Sequence, residues 1–248
     1  MYSDFAYVYD RLMRDIDYSK LADYIEVLLS DYGRIKPKLM LDLACGTGSL
    51  TLEFAKRGYD MIGIDVSPDM LNCALEKSME LKVSPLWVCQ DMRNFELYGT
   101  VDAVICTLDS LNYITDFSDL KSIFRLVKNY LNPGGLFIFD LNTPYKFENI
   151  LGNNFFYEIG EDIAYIWQNT YNPDTRICTF DLTFFVREKG RLYERIEEEQ
   201  QQKAWSFDEV KAALDESDLK LVKMFEEYTQ NPPSEKSQRC FFIAGLQD

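Results

Sequence analysis

Histidine is absent from all 248 residues. That single absence removes Ser-His-Asp and Cys-His nucleophilic pairs and the common histidine-based zinc sites. Proton transfer is left to carboxylate, Tyr, Lys, Cys or water. Apolar runs long enough to cross a bilayer are also missing, so no membrane partner is expected. The opening Met1-Tyr2-Ser3-Asp4 lacks a basic region followed by an apolar stretch, and the expected compartment is therefore the cytoplasm. Six cysteines, at 45, 73, 89, 106, 178 and 240, form no close pair and no metal-ligand spacing, so neither disulfides nor a metal are expected. Cys89, Cys106 and Cys240 fall in apolar, strand-like runs and are expected in the core. Basic charge is scarce as well: 26 Lys and Arg stand against 41 Asp and Glu, a net of -15. A nucleic-acid surface needs clustered cations to replace counterions, and neither half of the chain offers one.

What is present is enough apolar residue, 47%, to bury one full core. Periodicity predicts helices over 4–14 and 18–32, then alternating strands and helices. Strand 38–43 leads to helix 48–57, strand 60–64 to helix 68–79, then come strands 85–89 and 101–107, helix 117–131 and strand 135–140. Ser67-Pro68 reads as an N-cap with proline at the first helical position. Asn132-Pro133-Gly134-Gly135 reads as the turn from helix to strand. From about 145 the rhythm changes to antiparallel extended segments over 154–203, where Phe180, Leu182 and Phe184 alternate with Thr179, Asp181 and Thr183. Glu194, Glu197, Glu198 and Glu199 read as a solvated strand that protects an edge. The aromatics Tyr157, Tyr165, Trp167 and Tyr171 read as cross-strand packing, with an aromatic pocket for a cationic or ring-bearing acceptor as the sharper alternative. A capping box, Ser206-x-x-Glu209, opens helix 207–216, and strands near 219–228 and 238–246 finish the chain. The expected organisation is one domain. Residues 1–36 form a helical cap, 37–144 a cofactor-binding core, 145–204 an antiparallel insertion acting as substrate lid, and 205–248 the completion of the main sheet.

The most informative stretch is Leu41-Asp42-Leu43-Ala44-Cys45-Gly46-Thr47-Gly48-Ser49-Leu50, followed by Gly63-Ile64-Asp65. A strand enters a glycine turn, a helix follows, and the next strand ends on a carboxylate. Gly46 and Gly48 leave the backbone bare for close approach by a ligand, and helix-start amides attract negative groups. Asp65 is placed to accept both ribose hydroxyls, and Asp91 to reach an adenine amino group, with Met70 or Met92 against the ring. A dinucleotide turn would want a third glycine where Thr51 stands, and its pyrophosphate would be repelled by Asp42. A sulfonium or ammonium ligand suits Asp42 better, which points to S-adenosylmethionine. An NAD(P)-dependent oxidoreductase and a non-catalytic cofactor-binding or assembly protein stay open as alternatives.

These motifs resemble those of class I S-adenosylmethionine-dependent methyltransferases over roughly 38–144 and the last two strands. The resemblance implies an α/β, doubly wound, Rossmann-like sheet of seven strands with the last antiparallel. It implies cofactor contacts from Ala44, Cys45, Gly46 and Gly48, from Asp65, and from Asp91-Met92. Leu108-Asp109-Ser110-Leu111-Asn112-Tyr113 resembles the segment that lines the methyl group. Asp4-Phe5-Ala6-Tyr7-Val8-Tyr9-Asp10 resembles the start of small-molecule members, whose second tyrosine, Tyr9 here, helps close the site. The insertion is similar to the lids of glycine, sarcosine and amino-sugar N-methyltransferases. The expected activity is methyl transfer to a small-molecule acceptor at nitrogen or oxygen, dominated by proximity and desolvation. Asp109 and Tyr113 are the candidate proton acceptors or relays, and Asn142 and Tyr145 the candidate acceptor contacts.

Overall fold

The computed structural model describes residues 3–188, 190 and 192–247, with the side chains of residues 3–5 and 7 outside that description. In chain order the core runs α1 (Ser3–Leu12), α2 (Tyr18–Tyr32), β1 (Leu39–Leu43), α3 (Ser49–Lys56), β2 (Asp60–Asp65), α4 (Pro68–Leu81) and β3 (Leu86–Cys89). It continues through β4 (Val101–Cys106), α5 (Phe117–Tyr130), β5 (Leu131–Asn142) and a single turn, α6 (Pro144–Lys146). Four strands follow: β6 (Phe155–Ile159), β7 (Ile163–Asn172), β8 (Ile177–Arg187) and β9 (Tyr193–Lys203). The chain then returns through α7 (Phe207–Asp215), β10 (Leu219–Glu226) and β11 (Arg239–Leu246).

Seven of these strands form one sheet in the order β10-β11-β5-β4-β1-β2-β3. β1 pairs in parallel with β2 and β4, whereas the last strand, β11, runs antiparallel to both β5 and β10. The continuous apolar runs follow from cover on both faces. Leu21, Ile25 and Leu28 of α2 and Phe54 of α3 bury one face. Leu120, Ile123 and Phe124 of α5 and Val210 and Leu214 of α7 bury the other. The local signals hold: Ser67 Oγ accepts from the Met70 amide with Pro68 behind it, and Ser206 and Glu209 form the capping box.

Two expectations change. β5 begins at Leu131, not at 135, because Leu131 already pairs with Val101. The Pro133-Gly134 turn, with Gly134 at φ +84°, is carried as an irregularity inside the strand. Cys89 is exposed while Cys106 and Cys240 are buried, since β3 is the edge of the sheet and keeps one side in water.

The remaining four strands form a second, antiparallel sheet in the order β6-β7-β8-β9. Phe180 and Phe184 of β8 are buried and Asp181 between them is exposed, the alternation of a sheet with one covered face. That face rests on Phe147 and Leu151 beyond α6 and on Ala6 and Val8 of α1. β9 is an edge strand, and its Glu194, Glu197 and Glu199 are exposed there, where charge discourages pairing with another chain. Tyr165, Trp167 and Tyr171 each pack against a ring in or beneath this sheet, whereas Tyr157 is largely exposed.

Candidate active site

The glycine turn sits at the carboxyl ends of β1 and β2, and its shape comes from three left-handed residues, Ala44 (φ +57°), Gly46 (φ +55°) and Gly48 (φ +73°). Two carboxylates hold it. Asp65 Oδ2 accepts from the Gly46 amide at 2.8 Å and Oδ1 from the Ser67 amide at 2.9 Å, so β2, the turn and the start of α4 meet on one side chain. Asp42 is 3% exposed and accepts from Thr51 Oγ1 at 2.5 Å. Burial, with Asp65 nearby, pushes the Asp42 carboxyl up to about 7 against the Thr51 hydrogen bond. Burial also raises Asp65. Thr51 thus occupies the place of a missing third glycine because Asp42 requires a donor there.

The two glycines differ in purpose. A Cβ on Gly46 would meet only Tyr9, at 3.9 Å, so its bare backbone faces the space below α1. A Cβ on Gly48 would lie 2.4 Å from the Trp87 ring, and one on Gly63 also 2.4 Å from it. Trp87 of β3 slides across both residues and donates Nε1 to Ser78 Oγ at 2.9 Å. Gly48 therefore also makes room for packing beneath the turn.

A narrow cleft opens on the other side, lined by Tyr9, Tyr18, Asp42, Ala44, Gly46 and Leu108 among others. It measures about 30 Å³. α1 closes it from above. Asp10 accepts from Thr47 Oγ1 at 2.5 Å and from Lys77 Nζ at 2.9 Å, and Lys77 also donates to Ser49 Oγ. At Tyr9, next to Asp10, desolvation, with Tyr18 nearby, raises the hydroxyl well above the usual phenol range.

Beyond the cleft the chain leaves β4 through left-handed Leu108 (φ +58°) and Asp109 (φ +55°). Both amides donate to Asp140 of β5, at 2.7 and 2.8 Å. Asp140 is fully buried, and burial raises its carboxyl. Arg239 answers both acids, with Nη1 on Asp140 at 2.5 Å and Nη2 on Asp109 at 2.6 Å. Burial alone would lower this guanidinium, but Asp140, Asp109 and Glu227 outweigh it and raise it. The second sheet reaches the same segment: Gln202 Nε2 donates to Asp109 Oδ2 at 2.7 Å, and Tyr113 donates to Gln200 Oε1 at 3.0 Å.

Comparison with known proteins agrees with this architecture. A family model described as a methyltransferase domain matches residues 40–135. A protein of Geobacillus sp. (strain WCH70), provisionally named a methyltransferase, is 34% identical over 98% of each chain. The crystal structure of an S-adenosylmethionine-dependent methyltransferase from Clostridium acetobutylicum ATCC 824 is 33% identical. It superposes with a TM-score of 0.91, covering 100% of this chain and 99% of that one. The chain is an S-adenosylmethionine-dependent methyltransferase. A Streptomyces venezuelae protein named dTDP-3-amino-3,4,6-trideoxy-alpha-D-glucopyranose N,N-dimethyltransferase is 31% identical over 54% of this chain and 56% of its own.

In this methyltransferase the structure gathers Tyr9, Asp42, Ala44, Cys45, Gly46 and Leu108 around one cleft, with Asp65 directly behind the turn. Others fall elsewhere. Met70 is buried between α1 and the second sheet, and Met92 packs on the core. Asp91 is clamped by Arg93, Nη2 to Oδ2 at 2.5 Å, which lowers its carboxyl. Asp109 has both oxygens occupied, by Arg239 and Gln202, which argues against its expected use as a proton acceptor. Tyr113 is tied to Gln200. Asn142 is 3% exposed, and its Oδ1 accepts from Lys146 Nζ at 2.8 Å, so it positions Lys146 and has no open contact surface. Tyr145, half-buried, lies between them. Sequence reasoning missed Lys146, Gln200, Gln202 and Arg239. Lys146 has no carboxylate within ion-pair distance among the described residues, and burial, with Arg239 close by, lowers its ammonium. No local pattern marks these residues: Gln200, Gln202 and Arg239 meet partners 87 to 130 positions away, and Lys146, four positions from Asn142, carries no motif of its own.

Proposed function

We propose that this methyltransferase acts on a small-molecule acceptor and places the methyl group on nitrogen. When bound, S-adenosylmethionine supplies the electrophilic methyl. The chain's own part is positioning. Asp65 suits the ribose hydroxyls, and the Gly46 backbone and Tyr9 suit the methionine end, beside Asp42 for its cationic groups. Asp91 and Met92 remain the residues assigned to adenine, which would require Asp91 to share its carboxylate with Arg93.

One observation carries the choice of acceptor atom: Asp109, the carboxylate expected to take a proton beside the methyl group, is held by Arg239 and Gln202, and the chain has no histidine. A hydroxyl must lose its proton to become a competent nucleophile, whereas a neutral amine attacks through its lone pair and sheds the proton afterwards. Small size follows from the second sheet, which we read as a lid. It is hydrogen-bonded onto the segment after β4 and so stands over the acceptor side of the site. The amino-sugar relative supports the same reading.

The test is product formation from S-adenosylmethionine across matched amines, alcohols and thiols of similar size. Turnover confined to the amines is the expected result, and turnover confined to alcohols or thiols would overturn it.

A further inference from the structure

Four buried side-chain atoms have no hydrogen-bond partner among the described residues: Trp167 Nε1, Asn169 Oδ1, Tyr171 Oη and Gln202 Oε1. They share a surface. Trp167, Asn169 and Tyr171 of β7 stand opposite Leu182, Phe180 and Cys178 of β8. Those in turn stand opposite Glu198, Gln200 and Gln202 of β9. Directly opposed residues on antiparallel strands project to the same side, here the side that buries Cys178, Phe180 and Phe184. Folded proteins satisfy nearly all buried polar groups, and each exception calls for a cause. All four exceptions among the described residues lie on the inner face of one small sheet: Trp167, Asn169 and Tyr171 lie where it packs on Phe147 and Leu151, and Gln202 alone reaches the loop beside the reaction site.

Gln202 comes nearest that site. It is 1% exposed, and its Nε2 donates to Asp109 Oδ2 at 2.7 Å. That bond fixes the amide orientation and leaves Oε1 as an oriented acceptor with nothing to accept. Asp109 stands between Leu108 and Ser110, both of which line the cofactor cleft, and its other oxygen is held by Arg239. The amide is thus anchored from behind through two long-range contacts, the arrangement that preorganises a dipole.

We propose that Gln202 Oε1 receives an N–H of the acceptor amine. The proposal rests on the N-methylation reading above. Accepting one N–H aims the nitrogen lone pair away from Gln202. In the transfer that lone pair forms the N–CH3 bond, the S–CH3 bond breaks with its electron pair passing to sulfur, and the resulting ammonium loses one proton to water. The hydrogen bond to Oε1 strengthens as nitrogen becomes positive, so it favours the transition state over the ground state.

The experiment uses the full chain with S-adenosylhomocysteine bound and ethanolamine as the probe. In a crystal soaked with ethanolamine, its nitrogen is expected at hydrogen-bond distance from Gln202 Oε1. Gln202→Met, close in volume but lacking the oxygen, is expected to lower kcat at least tenfold on an amine acceptor while S-adenosylmethionine affinity stays within twofold. Gln202→Asn, which retracts the oxygen by one methylene, should fall between the two and guards against a folding defect in the first variant. Ethanolamine seated away from Gln202, Oε1 satisfied by the protein itself, or a Gln202→Met enzyme within twofold of wild type would each overturn the proposal. If the wild-type enzyme methylates alcohols or thiols but no amine, the N-methylation reading fails with it. If amines are methylated undiminished by Gln202→Met, only the role of Gln202 is lost.

Discussion

Arg239 Nη2 donates to Asp109 Oδ1 at 2.6 Å, joining the last strand to the loop after β4 across 130 positions of the chain. With its Nη1 on buried Asp140, this one side chain neutralises the acids that shape the acceptor side of the cleft. Removing it leaves Asp140, which is fully buried, without its charged partner.

Arg239→Met is therefore expected to destabilise the protein by about 3–5 kcal/mol, the usual cost of breaking a buried ion pair from one side. Urea denaturation followed by far-UV circular dichroism checks this. A loss below about 1 kcal/mol would mean that Asp109 and Asp140 find other partners.

Gly63 and Gly48 make room for the same ring, so their substitutions should respond differently to its removal. Gly63→Ala places a Cβ 2.4 Å from Trp87 and should cost about 1–3 kcal/mol by overpacking. In a Trp87→Leu background most of that cost should vanish, a coupling of about 1 kcal/mol or more. Gly48→Ala should stay costly in both backgrounds, because its φ of +73° strains any residue with a Cβ. A double-mutant cycle read by thermal denaturation separates the two cases.

Asp42, pushed up to about 7 by burial, predicts a pH dependence of definite sign. Between about pH 4 and 7 the folded chain holds a proton that the unfolded chain has lost. The stability contributed by this group is complete below the ordinary carboxylate range, falls as pH rises toward 7, and is level above it. Asp42→Asn should flatten that decline. A cationic ligand favours the ionised carboxylate, so S-adenosylmethionine affinity should rise from pH 6 to 8 in the wild type and less in Asp42→Asn. Calorimetry in buffers of different ionisation enthalpy should also detect proton release on binding.

The contacts of Asp10 with Thr47 and Lys77 hold α1 over the cleft. Asp10→Ala should weaken S-adenosylmethionine binding about tenfold, or about 1.4 kcal/mol. Binding of 5′-methylthioadenosine, which lacks the amino acid end, should change little. Equal losses for both ligands would place the effect in the adenosine pocket instead.

The sequence by itself determined the order of strands and helices, the glycine turn and the carboxylates at successive strand ends. These are local signals: apolar period, an N-cap at Ser67, a capping box at Ser206, and residues free to adopt positive φ. Tertiary structure alone decided what several of those residues are for. Thr51 stands where it does because Asp42 is buried and needs a donor, and Gly63 is glycine because Trp87 crosses it from another strand. The acceptor side was least legible, since Asp109, Arg239 and Gln202 meet only after β11 pairs with β5 and the second sheet folds over the loop after β4. Their chemistry depends on strand register and on contacts between distant parts of the chain, which no local pattern encodes.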